Sequence, residues 1–308
     1  MEPRRIALLG LPVDEGAGQP GCLMGPDAYR TAGLAGMIRA LGHEVTDLGR
    51  VVPVPSGTAL SGDARRAAVM DWVRAILPAA QDAAAGWDIP VFLGGDHSLT
   101  AGTLPGVAAH AARLGRPQFV LWLDAHSDVH TLDTSETGNL HGTPLAYALG
   151  LPGCEAYPPL PARIEPGHVC MMGLRSVDPA ERRHIAELGL DAHDMRSIDK
   201  TGVTKPLLAF LDRVRQAKGR LHVSFDVDFL DPAIAPAVGT TVPGGATFRE
   251  AHLIMELLHD SGLVTSVDLV ELNPFLDHAG QTTRLMSDLC ASLLGRSVLD
   301  RPTRMFRA

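Results

Sequence analysis

Short apolar runs rich in β-branched and aromatic residues alternate along the chain with longer segments whose apolar residues recur at helical spacing. Short runs that are apolar throughout are typical of strands buried on both faces of a sheet. Strands are predicted at Ile6–Gly10, Glu44–Leu48, Pro90–Gly94, Phe119–Asp124, His168–Gly173, Asp191–Asp194, Leu221–Asp226 and Val264–Glu271. Helices are predicted between most of them, for example at Pro26–Leu41, Ala64–Ala85, Leu99–Leu114, Val203–Ala217 and Thr247–Leu258. This alternation predicts an α/β fold of three layers, α/β/α, around a mostly parallel sheet of about eight strands.

The alternation of strands and helices continues along the whole chain. No repeat, low-complexity tract or convincing linker interrupts it, so residues 1–308 are expected to form a single domain. The proline-rich stretch Pro152–Pro166 is interpreted as a surface excursion, because the pattern resumes directly after it.

Composition and charge narrow the classes of function. With 45% apolar and 20% charged residues the chain is typical of a globular protein, and its net charge of −8 without a basic run disfavours nucleic acid as a partner. No apolar run approaches the roughly 18 residues that span a membrane, and the N-terminus lacks the apolar segment of a signal peptide. The four cysteines are scattered and suggest reduced thiols, so a cytoplasmic protein is expected.

Three potential metal ligands lie at every second position where the fourth predicted strand ends. Asp124, His126 and Asp128 therefore project to the same side of an extended backbone. Bringing carboxylates together and burying them costs free energy. A bound cation makes the same arrangement favourable. This strand end thus predicts a carboxylate-rich metal site at the rim of the sheet.

Three further predicted strands also end in histidine or carboxylate residues. Asp226 and Asp228 lie at the end of the seventh strand, His97 follows the third, and Glu271 ends the eighth. In open parallel sheets, ligands bind at the carboxyl ends of the strands. We therefore expect these side chains to converge on one rim.

The candidate ligands are too many for one zinc ion, which in catalytic sites usually has three protein ligands. They comprise two imidazoles and four carboxylates: His97, Asp124, His126, Asp128, Asp226 and Asp228. This mixture suits two divalent ions, for which Mn²⁺ fits well and Co²⁺, Fe²⁺ and Ni²⁺ are alternatives. Two ions about 3.5–4 Å apart can share and activate a water, which implies hydrolysis of a poor electrophile.

Four motifs resemble those of the ureohydrolase family, which includes arginases and agmatinases. They are Gly94-Gly-Asp-His97-Ser, Asp124-Ala-His-Ser-Asp128, Ser224-Phe-Asp226-Val-Asp228-Phe-Leu-Asp-Pro232 and Val270-Glu271-Leu-Asn-Pro274. The resemblance runs from Gly25-Pro26 to the C-terminal helix near Thr282–Leu294. It implies an arginase-like fold, a binuclear manganese hydrolase acting on linear amidines, and a homotrimer or homohexamer.

The loop after Asp128 resembles arginases more than the other members of this family. The run His130-Thr-Leu-Asp-Thr-Ser-Glu-Thr137-Gly-Asn139-Leu-His141-Gly142 has the spacing of the arginase loop that holds the amino-acid end of the substrate. Agmatinases typically lack its Gly-Asn-x-His-Gly part. Two positions depart from the arginase pattern, which commonly has Asn where His130 stands and Ser where Thr137 stands. The substrate contacts implied by the resemblance are His130, Thr137, Asn139, Asp178, Thr240 and Glu271.

The resemblance also implies a mechanism, in which L-arginine is hydrolysed to L-ornithine and urea. A metal-bridging hydroxide would add to the guanidinium carbon, while Asp128 carries the proton of the hydroxide towards the leaving amine. Glu271 would orient the guanidinium by charge-assisted hydrogen bonds. His141 would shuttle protons between the solvent and the site, a task that suits the pKa range of histidine.

Other functions compete with this one. The same mechanism serves other guanidino compounds, such as agmatine or 4-guanidinobutyrate. A zinc deacetylase on a similar fold is disfavoured because that chemistry needs only one of the two ligand sets. A regulator that binds metal or arginine without turnover is disfavoured because Glu271 and His141 accompany all six ligands.

Overall fold

The computed structural model describes residues 2–55 and 64–300. All eight predicted strands form, and their ends lie within two residues of the predicted ones. They are β1 (Arg5–Leu11), β2 (Glu44–Arg50), β3 (Ile89–Gly94), β4 (Gln118–Leu123), β5 (Val169–Leu174), β6 (Asp191–Asp194), β7 (Arg220–Asp226) and β8 (Val264–Val270).

The eight strands form one sheet in the order β2-β1-β3-β8-β7-β4-β5-β6. Every pairing between these strands is parallel, which confirms the predicted sheet and makes it more uniform than "mostly parallel". β3, β8, β7 and β4 are consecutive neighbours at the centre. Their carboxyl ends therefore open on one stretch of the rim.

Helices cover both faces of the sheet. They are α1 (Gly25–Thr31), α2 (Leu34–Arg39), α3 (Ala64–Gly86), α4 (Thr100–Arg113), α5 (Pro144–Leu149), α6 (Pro179–Leu188), α7 (Met195–Thr201), α8 (Thr204–Gln216), α9 (Phe248–Ser261) and α10 (Gln281–Leu293). Successive strand residues point into different apolar cores: Leu93 belongs to one and Phe92 to the other. Within the described residues, no helix combines the length and the apolar character that crossing a bilayer requires.

The single helix predicted over Pro26–Leu41 is wrong. The segment forms two short helices, α1 and α2, which are separated at Gly33. The backbone of Gly33 has φ 82°, a left-handed conformation that ends a helical run and that glycine adopts without steric cost. The apolar residues keep helical spacing across Gly33, so the sequence pattern did not predict this break.

The turn after β3 packs tightly against its neighbours. A Cβ atom on Gly95 would lie 2.0 Å from the Val13 carbonyl oxygen, and one on Gly94 would lie 2.5 Å from that of Leu269. The carbonyl of Gly95 also accepts the backbone N–H of Glu271 at 2.8 Å. These close backbone approaches fix where the chain leaves the rim of the sheet.

We predict that Gly95→Ala destabilises the protein, because the added methyl group has no room beside Val13. Clashes of this kind typically cost about 1–3 kcal/mol, to be measured as the free energy of unfolding in urea. Gly36→Ala is the matched control, since Gly36 lies in α2 with open space around its Cα. Alanine should stabilise that helix by about 0.5–1 kcal/mol. Equal stability of the Gly95→Ala variant and the parent would contradict the close packing.

Candidate metal centre and active-site cleft

The predicted ligands converge on the carboxyl ends of the four central strands. His97 begins a 3₁₀ turn after β3, and Asp226 is the last residue of β7. Asp124 directly follows β4, and Glu271 directly follows β8. Neighbouring parallel strands end at the same edge, so residues far apart in sequence meet there.

The imidazole of His97 lies at the centre of the cluster and is only 1% exposed. Its Nδ1 is 3.1 Å from Asp124 Oδ2, 3.0 Å from Asp128 Oδ2 and 3.1 Å from Asp226 Oδ2. None of these contacts has hydrogen-bond geometry, and Nδ1 has no hydrogen-bond partner among the described residues. A ring nitrogen surrounded by three carboxylate oxygens could hold a metal ion.

The ring of His97 is held from two sides. Its Nε2 lies 2.8 Å from the hydroxyl of Ser224, and the ring stacks on Trp122 with 4.4 Å between centroids. Trp122 also donates its indole N–H to Asp124 Oδ2 at 3.0 Å. Such support is typical of metal-binding histidines, whose second nitrogen is hydrogen bonded.

A second donor set adjoins the first. His126 Nδ1 lies 3.0 Å from Asp228 Oδ2 and 3.5 Å from Asp124 Oδ1. Asp124 therefore faces both imidazoles, one with each carboxylate oxygen. This arrangement offers two neighbouring positions for cations that share one carboxylate.

Burial and mutual repulsion disfavour the charged forms of the carboxylates in this cluster. Burial, with the nearby Asp124 carboxylate, raises the pKa of Asp128 to about 6. Burial and neighbouring carboxylates also raise the pKa of Asp226 and of Asp228. Burial acts to lower the pKa of His126, but the Asp228 and Asp124 carboxylates outweigh it and raise that pKa to about 12. Divalent cations fit these residues, since they would supply the missing charge and accept the imidazole lone pairs.

Two of the cluster residues have strained backbones. Asp128 has φ 51° and Glu271 has φ 64°, the left-handed region that non-glycine residues rarely adopt. Such conformations cost on the order of 1–3 kcal/mol and are concentrated at functional sites. Here the bends follow directly on buried strands and aim both carboxylates into the cleft.

All thirteen residues predicted for the site line one cleft of about 270 Å³. They are His97, Asp124, His126, Asp128, His130, Thr137, Asn139, His141, Asp178, Asp226, Asp228, Thr240 and Glu271. Thr240 also donates its hydroxyl to Asp228 Oδ2 at 3.1 Å, so it contacts a candidate ligand as well as the open cleft.

Glu271 and His141 form a pair deep in the cleft. His141 Nδ1 lies 3.0 Å from Glu271 Oε1, which also accepts the backbone N–H of His97 at 2.7 Å. Burial acts to lower the pKa of His141, but the Glu271 carboxylate outweighs it and raises that pKa to about 9. Burial acts to raise the pKa of Glu271, yet the contact with His141 keeps it below its usual value. The pair therefore favours an imidazolium beside a carboxylate.

Glu181 was not predicted from the sequence, although it is buried and lines the cleft. Its carboxylate accepts the hydroxyl of Ser127 at 2.7 Å and lies 3.6 Å from His130 Nε2. Glu181 also completes a capping box with Asp178 at the start of α6. The Asp-Pro-Ala-Glu spacing predicts such a cap, but only the structure shows that the cap faces the cleft.

Comparison with known proteins agrees with this geometry. The model of the Arginase family matches residues 4–295. An arginase of Agrobacterium fabrum is 60% identical over 312 residues, which cover 99% of this chain and 95% of that protein. An arginase of Brucella melitensis is 61% identical over 301 residues, which cover 96% of this chain and 98% of that protein.

The fold is likewise similar to that of solved structures. The structure of arginase from Bacillus caldovelox aligns with a TM-score of 0.87 at 36% identity, covering 96% of this chain and 99% of that one. The similarity confirms the arginase-like fold that the motifs implied. On these similarities in sequence and structure, the chain belongs to the arginase family.

Proposed function

We propose that the protein hydrolyses L-arginine to L-ornithine and urea at the cleft. The observation that carries this proposal is the buried Nδ1 of His97, which faces three carboxylate oxygens at 3.0–3.1 Å beside a second imidazole and carboxylate set. Relatives named arginase at 60% and 61% identity support arginine as the substrate.

Two divalent cations, Mn²⁺ by preference, fit the two donor sets. His97, Asp128 and Asp226 would hold one, His126 and Asp228 the other, and Asp124 would contact both. Cations bound there lower the pKa of water and so supply a nucleophile near neutral pH.

Glu271 is placed to orient the guanidinium group of the substrate. Its carboxylate is 2% exposed and borders the cleft beside the donor sets. A guanidinium is always protonated and donates in a planar fork, which matches a carboxylate. Removal from water strengthens this attraction, so the guanidinium carbon would be held next to the site of attack.

His141 would shuttle protons between the solvent and the site. Its raised pKa keeps the imidazole protonated near neutral pH while Nδ1 remains bonded to Glu271. The imidazole borders the cleft and its side chain is 16% exposed, so it can regain a proton from the solvent. General acid catalysis of this kind typically contributes a factor of about 10²–10⁴.

Other residues that line the cleft offer groups for the amino-acid end of L-arginine. Asp178 is exposed, and its Oδ2 lies 3.1 Å from His130 Nε2, so this carboxylate is oriented and can attract the α-ammonium. Thr137 and Asn139 offer polar groups for the α-carboxylate. The other guanidino compounds lack one of these two charges, which favours L-arginine.

We further propose a cytoplasmic homotrimer or homohexamer in which residues 1–308 form one domain. The family resemblance supports the assembly. Free thiols at all four cysteines support a reducing compartment. The family match over residues 4–295 supports the single domain.

The proposed function is tested by measuring urea release from the Mn²⁺-loaded protein with L-arginine, agmatine and 4-guanidinobutyrate. Agmatine lacks the α-carboxylate and 4-guanidinobutyrate lacks the α-ammonium. We expect kcat/KM for L-arginine to exceed both, by about tenfold or more for each lost charged contact. Preference for either analogue would refute arginine as the substrate. The absence of urea release from all three compounds would refute the hydrolytic function.

We predict that Asp128→Asn lowers kcat by a factor of about 10²–10⁴, the usual contribution of a proton-transfer group. Asparagine tolerates the left-handed backbone at this position, so the fold should persist. Circular dichroism and the bound metal content provide the controls. Near-normal turnover in a variant with full metal content would remove Asp128 from its proposed role.

We predict that chelation abolishes turnover and lowers the melting temperature, because the clustered carboxylates lose their compensating charge. A cation at a hundred times its Kd stabilises a protein by about 2.7 kcal/mol, which calorimetry detects as a shift of several degrees. Mn²⁺ should restore both properties, whereas Mg²⁺ should restore less because it disfavours imidazole ligands. A melting temperature that does not respond to either ion would argue against the metal centre.

A further inference from the structure

Arg65 lies in the first turn of α3 and contacts Asn139, which lines the mouth of the cleft. A positive charge at the start of a 23-residue helix faces the positive end of the helix dipole, which is unfavourable. Helix stability therefore does not account for an arginine at this position. Its contacts indicate another role.

The guanidinium of Arg65 bridges two loops at the mouth. Its Nη2 donates to Asn139 Oδ1 at 3.0 Å and to the Ala17 carbonyl at 2.8 Å. Its Nε donates to the Glu15 carbonyl at 3.2 Å. No carboxylate of residues 2–55 and 64–300 forms an ion pair with Arg65, so these residues leave its charge without a negative partner.

These contacts determine the orientation of the Asn139 side chain. A guanidinium can only donate hydrogen bonds, so the amide must present its oxygen to Arg65. Its Nδ2 then points away from Arg65, and the side chain lines the cleft. Gly18 packs closely against the same amide: a Cβ atom on Gly18 would stand only 3.3 Å from Nδ2.

Thr137 presents a second donor in the same loop. Its hydroxyl oxygen accepts the backbone N–H of Asn139 at 3.2 Å, which leaves the hydroxyl hydrogen free to donate. Two donors next to an arginine form a surface for a carboxylate. The rest of the cleft is rich in carboxylates and would repel that group, and the charge of Arg65 opposes this repulsion.

We propose that Arg65 is a positioning residue that fixes the Asn139 amide with its Nδ2 donor towards the substrate carboxylate. Through Asn139 it makes the cleft selective for guanidino compounds that carry a carboxylate at the end remote from the guanidinium. This inference rests on the proposed function and names a residue that governs its specificity.

The test uses the Mn²⁺-loaded protein and its Arg65→Gln variant. Glutamine is neutral, and its amide can donate or accept, so it no longer imposes one orientation on Asn139. Loss of one charge-assisted contact should raise Kd for L-ornithine about tenfold in calorimetry. Kd for putrescine, which lacks the carboxylate, should not change.

Turnover gives a second reading of the same variant. KM for L-arginine should rise about tenfold while kcat stays within about twofold, as expected when binding contacts are lost equally in the ground and transition states. KM for agmatine should not change. Arg65→Lys, which keeps a charged donor, should recover part of the loss for L-arginine.

Two further variants separate this role from a general effect of charge or folding. Arg74→Gln removes a positive charge from the same helix, where Arg74 pairs with Asp71, and should alter none of these constants. In an Asn139→Ala background, Arg65→Gln should have little additional effect, because both substitutions interrupt the same contact.

The inference would be overturned if Arg65→Gln weakened the binding of L-ornithine and putrescine equally, or if it lowered kcat without changing KM. An unchanged Kd for L-ornithine in Arg65→Gln would also overturn it. Failure of the parent protein to release urea from L-arginine would refute the proposed function instead. The binding comparison of L-ornithine with putrescine would still decide the role of Arg65.

Discussion

The compensation of buried negative charge governs the whole rim of the sheet. Asp124, Asp226 and Asp228 lie where water is excluded, and each accepts a backbone N–H: from His126 at 2.6 Å, from Asp228 at 2.8 Å and from Ala125 at 3.0 Å respectively. Such bonds orient the carboxylates but cannot neutralise them. The two imidazoles supply part of the missing positive charge, and the grouped histidine and carboxylate side chains could hold a metal ion that supplies the rest.

Rigid surroundings make the strained backbones at this rim tolerable. Glu271 keeps its left-handed conformation because its N–H bonds to Gly95 and its carboxylate bonds to His97 and His141. The absence of a side chain at Gly95 brings that carbonyl within reach. The sheet thus holds the reactive carboxylates in positions that an isolated loop would not maintain.

The sequence predicted the sheet and the convergence of the histidine and carboxylate residues at its rim because both depend on local pattern. Strands buried on both faces are continuous apolar runs, and parallel strands bring residues at their ends together without further information. Arg65 and Asn139 are 74 positions apart and belong to a helix and a loop, so no periodicity links them. The sequence alone does not show whether an arginine in the first turn of a helix contacts a neighbouring loop or only water. Glu181 was missed for a similar reason, since its capping spacing does not reveal which way the cap faces.

The cleft divides its tasks between two kinds of structure. Strand ends supply the buried acidic residues that form the floor of the cleft. Substitutions there are poorly tolerated because they disturb the compensation of buried charge. Loops supply the mouth, where Asn139 and Arg65 meet through side chains that the sheet does not constrain. Under the proposed role of Arg65, substitution at the mouth would alter which end group a substrate must carry and leave the acidic floor intact. Among the described residues, the ring of His130 contacts Asp178 at the α6 cap and forms no contact with the imidazoles of His97 and His126. Its departure from the commoner asparagine is thus compatible with an unchanged reaction at the floor.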